Sequence, residues 1–172
     1  TNVGTGLRIS VMLHLPALKM TGEIEKLVRA AKEMHLAIRG LYGEGTDAFG
    51  DFFQVSNQTT LGQREDEIIG DFKGKVIPAI IRYEQQARET LQKSRQTALD
   101  DKIFRALGIL ENARRLTTEE ALLHLSHLRI GVVLHRLKDL DLSAVNELFV
   151  ASQSAHLQKR AGTLMDGEDR SI

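Results

Sequence analysis

Leu7, Ile9, Val11 and Leu13 alternate with Arg8, Ser10, Met12 and His14. A period of two predicts a strand with one apolar face and one mixed face. Pro16 closes it. Ile24, Leu27, Val28 and Ala31 then recur at i, i+3, i+4 and i+7, a helix that Thr21 is placed to cap. Leu36–Arg39 and Phe52–Ser56 read as two further strands. The stretch between them, "GLYGEGTDAFGD", carries Gly40, Gly43, Gly45 and Gly50 and reads as a mobile loop, because closely spaced glycines cannot hold a regular element.

From about Arg64 the period changes to that of a helix. Ile69, Phe72, Val76, Ala79, Ile80, Tyr83, Ala87 and Leu91 mark one long stripe, in which Pro78 predicts a kink. The polar run "QKSRQTALDD" is the best boundary in the chain. Leu99, Ile103, Leu107 and Leu110 predict the next helix. "TTEE", with Thr117 and Glu120, is a capping box opening another over roughly Glu119–Lys138. Apolar residues lie on several sides of that helix, so it is central in a bundle or buried in an interface. Ser143 is placed to cap a short helix with Val145, Leu148 and Phe149, and Gly162 to end the last one. The fold expected is α+β: an antiparallel sheet with helices over residues 1–94, then an all-helical module over 95–172.

With 172 residues, 42% of them hydrophobic, the chain can bury a core of its own. Its 23 basic and 23 acidic side chains cancel, which argues against a direct nucleic-acid or anionic-membrane partner. No apolar run approaches a membrane span, and no signal peptide is visible. The absence of cysteine rules out disulfides and thiolate metal sites and fits a cytoplasmic home. Both ends read as cuts in a longer protein.

Candidate chemistry centres on two arginines. The residues alone leave two readings of Arg8: a water-facing arginine on an edge strand, or a ligand for an anion. Arg39 ends a strand at the mouth of the glycine-rich loop. Together they suit phosphoryl transfer, which needs fixed positive charge, a planar fork to grip phosphate oxygens, and a segment that excludes water. Glu44, inside the loop, is either a solvated glutamate or an acceptor for a cationic substrate. His124 and His127 have the spacing of a metal pair, but nothing completes a site, and a surface or interface role is expected. Phe52 and Phe53 read as core.

"TNVGTGLR" followed by "IRGLYGEGTDAFGDFFQVSNQTTLG" resembles the C-terminal part of the ATP:guanido phosphotransferases, the phosphagen kinase family. "RGLYGEGT", "FRALGIL", "TTEEAL" and "AHLQK" resemble, more narrowly, its bacterial protein-arginine kinases. The resemblance implies a glutamine-synthetase-like catalytic domain that transfers the ATP γ-phosphoryl group to arginine side chains of proteins. It implies phosphate contacts from Arg8 and Arg39. A nucleotide site is implied along Arg8, Ile9, Ser10, Val11 and Met12, and along Arg39, Gly40, Leu41, Tyr42, Gly43 and Glu44, with Glu44 recognising the substrate guanidinium. Met12 and Gln54 stand where creatine kinases carry a histidine and an aspartate. ATP is the implied cofactor, with Mg2+ held through its phosphates rather than by the protein. The helical module is implied to form a homodimer and to meet regulators or Clp-type chaperone–protease partners in a stress response. A non-catalytic docking module is the alternative. The reactive cysteine, the remaining phosphate arginines and the catalytic carboxylate would lie upstream of Thr1, so negligible kinase activity is expected of this portion alone.

Overall fold

The computed structural model describes residues 6–41, 48–59, 62, 64–153, 156 and 159. The chain forms two compact units, Thr1–Ser94 and Arg95–Ile172.

The first unit is built on three antiparallel strands, β1 (Ser10–His14), β2 (Leu36–Gly40) and β3 (Phe52–Asn57), in the order β1-β3-β2. Because side chains alternate across a strand, register decides which residues share a face. Val11, Val55 and Ile38 form one rung and Leu13, Phe53 and Gly40 the next. Phe53 and Val55 are wholly buried. The opposite face carries the rungs Ser10–Ser56–Ala37 and Met12–Gln54–Arg39.

Pro16 does end β1, but it also opens a helix absent from the sequence reading, α1 (Pro16–Thr21), where its fixed φ and missing N–H suit the first position. Gly22 closes α1 at φ 77°, a left-handed conformation that glycine adopts without strain. Thr21 belongs to this helix and donates its hydroxyl to the Ala17 carbonyl at 2.9 Å. It does not cap α2 (Ile24–Glu33), whose N-cap position is Glu23. The N–H groups of Ala17 and Leu18 are instead satisfied from far along the chain, by the Glu84 carboxylate at 3.1 and 3.0 Å.

The long helical stripe divides into α3 (Glu65–Asp71), a π-turn at Phe72–Val76 and α4 (Ile77–Ser94). The anticipated kink takes the form of that widened turn. Pro78 offers no N–H to the Gly74 carbonyl and its ring presses on that group, and the wider turn makes room. The buried stripe is Ile68, Phe72, Ile80, Glu84, Ala87 and Leu91. Ile69 and Tyr83, expected on it, are 36% and 57% exposed, and a glutamate occupies a core position instead.

The second unit contains α5 (Gln96–Asn112), α6 (Thr118–Val133) and α7 (Leu142–Ala151), with α6 against both of the others. Its capping box forms as expected: the Glu120 N–H donates to Thr117 Oγ1 at 3.2 Å and the Thr117 N–H to Glu120 Oε2 at 2.9 Å. Helix α6 is buried on several sides and stops at Val133, short of the expected end, because His135 turns left-handed at φ 56°. Asp141, not Ser143, caps α7, its carboxylate accepting from the Ser143 N–H. Gly162 lies outside the described residues. Among the described residues no helix is long and apolar enough to cross a membrane.

Candidate functional site

Arg39 projects from the end of β2 on the rung it shares with Gln54 and Met12, away from the core. Arg8 lies two residues before β1 and has the parity of Ser10 and Met12. Both side chains line one cleft of about 290 Å³, together with Leu7, Ala37, Ser56, Asn57 and Gln58. Both arginines are exposed, and among the described residues neither has an ion-pair partner. The cleft is at the small end of ligand-site volumes, roughly 300–1,000 Å³. It suits an anionic group rather than a whole nucleotide. Two guanidinium forks at its wall can offer charge-assisted, bidentate hydrogen bonds to phosphate oxygens.

Asn57 holds the backbone on both sides of Arg8. Asn57 Oδ1 accepts from the Ile9 N–H at 2.8 Å, and Asn57 Nδ2 donates to the Leu7 carbonyl at 3.0 Å. The Asn57 N–H adds a bond to the Ile9 carbonyl at 3.3 Å. Ser56, Asn57 and Gln58 were missed as site residues in the sequence reading. Their signal is the parity of Ser56 and Gln58 with Gln54, readable once β3 is known to be the central strand.

The base of the glycine-rich segment is tied on its described sides. Leu41 donates to the Phe52 carbonyl at 2.8 Å and Phe49 to the Leu41 carbonyl at 3.1 Å. Lys19, on α1, donates to the Ala48 carbonyl at 2.9 Å and lies 3.2 Å from the buried Asp51 carboxylate. Asp51 sits at φ 58° and accepts from the Leu15 N–H through its own carbonyl at 2.9 Å. Ile9, Ser10, Val11, Met12, Gly40 and Leu41 flank the arginines along β1 and β2. Tyr42, Gly43 and Glu44 lie outside the described residues. Phe53 is core, while Phe52 is only half-buried and sits 4.9 Å, ring to ring, from His14.

The donors around the cleft do not fit a protein-held Mg2+, which takes carboxylate oxygens, because no described residue lining it is acidic. Nor do His124 and His127 form a metal centre: among the described residues no group of three or more histidines and carboxylates could hold an ion. His127 is 8% exposed, inside the core of its own unit rather than at a surface. Burial pushes the His124 imidazole below its usual range, against the opposing pull of the Glu120 carboxylate. In this second unit an apolar cavity of about 390 Å³ opens among Leu107, Leu110, Leu116, Leu125, Leu128 and Leu148.

Residues 1–87 match the family model described as ATP:guanido phosphotransferase, C-terminal catalytic domain, and residues 96–172 the one described as Protein-arginine kinase McsB C-terminal domain. The chain is 44% identical over 172 residues to the protein-arginine kinase of Geobacillus sp., covering all of this chain and 47% of that protein. It is 44% identical over 170 residues to that of Halalkalibacterium halodurans and 45% identical over 170 residues to that of Bacillus cytotoxicus, covering 99% of this chain and 48% of each. The chain thus spans about half the length of the curated relatives it matches. The match of the first unit to a catalytic domain overturns the alternative of a non-catalytic docking module.

Proposed function

Since the chain belongs to the ATP:guanido phosphotransferase family, we propose that its first unit supplies phosphate-binding arginines to a protein-arginine kinase. The reaction is in-line transfer of the ATP γ-phosphoryl group to a guanidinium nitrogen of a protein arginine. The bond to the ADP oxygen breaks as the P–N bond forms, and the guanidinium gives up a proton. Arg8 and Arg39 hold the phosphate oxygens and offset the charge that builds in the transition state. Ile9–Met12 and Gly40–Glu44 line the nucleotide, and Glu44 recognises the incoming guanidinium. Magnesium, when present, arrives on the ATP phosphates and neutralises part of their charge. The sheet is one part of a larger glutamine-synthetase-like catalytic domain.

The supporting observation is that two guanidinium groups, 31 positions apart in sequence, line a single cleft without a carboxylate partner among the described residues. The second unit is read as the homodimerisation and regulator-docking module, with Clp-type chaperone–protease partners in a cytoplasmic stress response. Its open apolar cavity and its exposed Phe104, Leu123, Leu148 and Val150 support that reading.

Arg8→Ala and Arg39→Ala in the intact protein test the site. Each is expected to lower phosphoarginine formation from ATP by about 10²–10³, the scale for removal of one charge-stabilising donor. Both side chains are exposed, so the unfolding midpoint stays in place. Near-normal turnover in either variant overturns the role given to that arginine.

A further inference from the structure

We propose that Asn57 is a positioning residue that aims Arg8 into the phosphate cleft. The inference rests on the phosphate reading of Arg8 and concerns how that residue is held. Arg8 lies two residues outside the regular part of β1. Its two neighbours are nevertheless held, both by Asn57: the Ile9 N–H and the Leu7 carbonyl each meet one end of the same side-chain amide, at 2.8 and 3.0 Å. The Asn57 N–H fixes the Ile9 carbonyl as well.

Only a carboxamide does this. It carries an acceptor and a donor on one short planar group, and here the acceptor faces an N–H and the donor a carbonyl. With the backbone of residues 7 and 9 held extended against β3, alternation places the side chain of residue 8 on the same face as Ser10 and Met12. That is the face carrying Ser56 and Arg39, and Asn57 itself borders the same cleft. A long arginine side chain has many rotamers to lose when it binds. Fixing its Cα–Cβ direction beforehand removes part of that cost and holds the guanidinium where the phosphate will sit.

The test measures ATP and adenosine binding by titration calorimetry in four forms of the intact protein: parent, Asn57→Ala, Arg8→Ala and the double variant. Asn57→Ala is expected to weaken ATP binding about 10- to 100-fold, the scale of a misplaced binding group. Adenosine binding stays unchanged, since it has no phosphates for Arg8 to reach. In the Arg8→Ala background the same substitution is expected to change ATP binding less than about twofold, because the two residues act as a unit. An Asn57→Ala loss of equal size in both backgrounds, or for adenosine as much as for ATP, overturns the inference and leaves Asn57 a purely structural residue. Arg8→Ala that weakens ATP while Asn57→Ala does not removes the clamp alone. Unchanged ATP binding in Arg8→Ala removes the phosphate reading and the clamp with it. If Asn57→Ala does not fold, Asn57→Gln carries the same cycle. It keeps both amide groups one methylene farther out, and the same background dependence decides the outcome.

Discussion

Glu84 is a carboxylate in a core, and replacing it with alanine tests how the first unit is held together. Its side chain is 4% exposed and accepts from Arg88 Nε at 2.8 Å. Its two oxygens also take the N–H groups of Ala17 and Leu18. Those belong to the first turn of α1, where helical N–H groups have no partner within the helix. The N-cap position is Leu15, which has no side-chain oxygen to offer, so α4 provides the cap from 66 residues away. Glu84→Ala leaves two buried N–H groups and a guanidinium, itself 19% exposed, without their acceptor. Breaking one side of a buried pair costs about 3–5 kcal/mol, a large part of the roughly 5–15 kcal/mol that holds a domain. Both tyrosines, Tyr42 and Tyr83, lie in this unit and the chain has no tryptophan. Tyrosine fluorescence in urea therefore reads the first unit alone. With a slope of roughly 1–3 kcal/mol per molar urea, the midpoint is expected to fall by at least about 1 M. Burial pushes the Glu84 carboxyl above its ordinary 4.5, against the opposing pull of Arg88 and the two N–H groups. The folded chain then holds that proton more tightly than the unfolded chain does. The stability advantage of the parent over Glu84→Gln is greatest below about pH 4.5, shrinks as pH rises through the raised value, and levels off above it. An unchanged urea midpoint in Glu84→Ala, or an advantage that grows with pH, refutes the reasoning.

The other predictions concern packing and the tie beneath the glycine-rich segment. At Gly131 on α6 an added Cβ would lie 2.6 Å from Ile103 Cγ2 and 3.1 Å from Leu137 Cδ1, both on buried side chains. Gly131→Ala is therefore expected to destabilise the second unit by about 1–2 kcal/mol, an overpacking cost reduced by alanine's better helix propensity. At Gly108 on α5 nothing lies within 4 Å, so Gly108→Ala is expected to stabilise by about 0.5–1 kcal/mol. Circular dichroism melts of the two variants moving in the same direction would refute this pairing. Lys19→Met removes the ammonium from the buried Asp51 and the donor from the Ala48 carbonyl, and is expected to cost the first unit about 1–3 kcal/mol. A urea midpoint by tyrosine fluorescence equal to the parent's would show that the tie holds nothing.

What the sequence made legible was whatever local rules decide. The three strands stand out because alternation is written into neighbouring residues, and the Thr117–Glu120 box because its partners are three positions apart. The misreadings share a cause of the opposite kind. Thr21 looks like the cap of α2 only if Pro16 merely stops a strand; once Pro16 opens α1, Thr21 is its last residue. The cap of α1 comes from Glu84, and no local rule points from residue 17 to residue 84. On the helical stripe Phe72, Ile80, Ala87 and Leu91 are buried as expected, and only Ile69 and Tyr83 were misplaced, because they are apolar and Glu84 is not, whereas a partnered glutamate can hold a core position. At the site, parity put Arg8 with Met12 and the family resemblance put Arg8 and Arg39 on the same phosphates; their shared face follows from β3 lying between β1 and β2. Asn57 stayed hidden for a related reason: its work is done by a side chain standing in for a missing stretch of strand ladder.

The charge pattern sets these two arginines apart from the basic residues that are paired along helices. The chain is neutral, and five of its described basic side chains are matched close at hand. Lys26 pairs with Glu23, Lys75 with Asp71, Arg88 with Glu84, Lys93 with Glu89 and Arg105 with Asp101, all three or four positions apart on helices. Such spacing is the natural outcome of helical geometry. A strand offers no equivalent, because its neighbours on one face come from other strands. Around Arg8 and Arg39 those neighbours are Ser10, Met12, Ala37, Gln54 and Ser56, none of them acidic. The sheet therefore keeps two like charges on one face with no acidic cross-strand neighbour among the described residues. Under the proposed phosphate role, that placement of charge is set by the strands before any ligand arrives, which is what stabilising a transferring phosphoryl group requires.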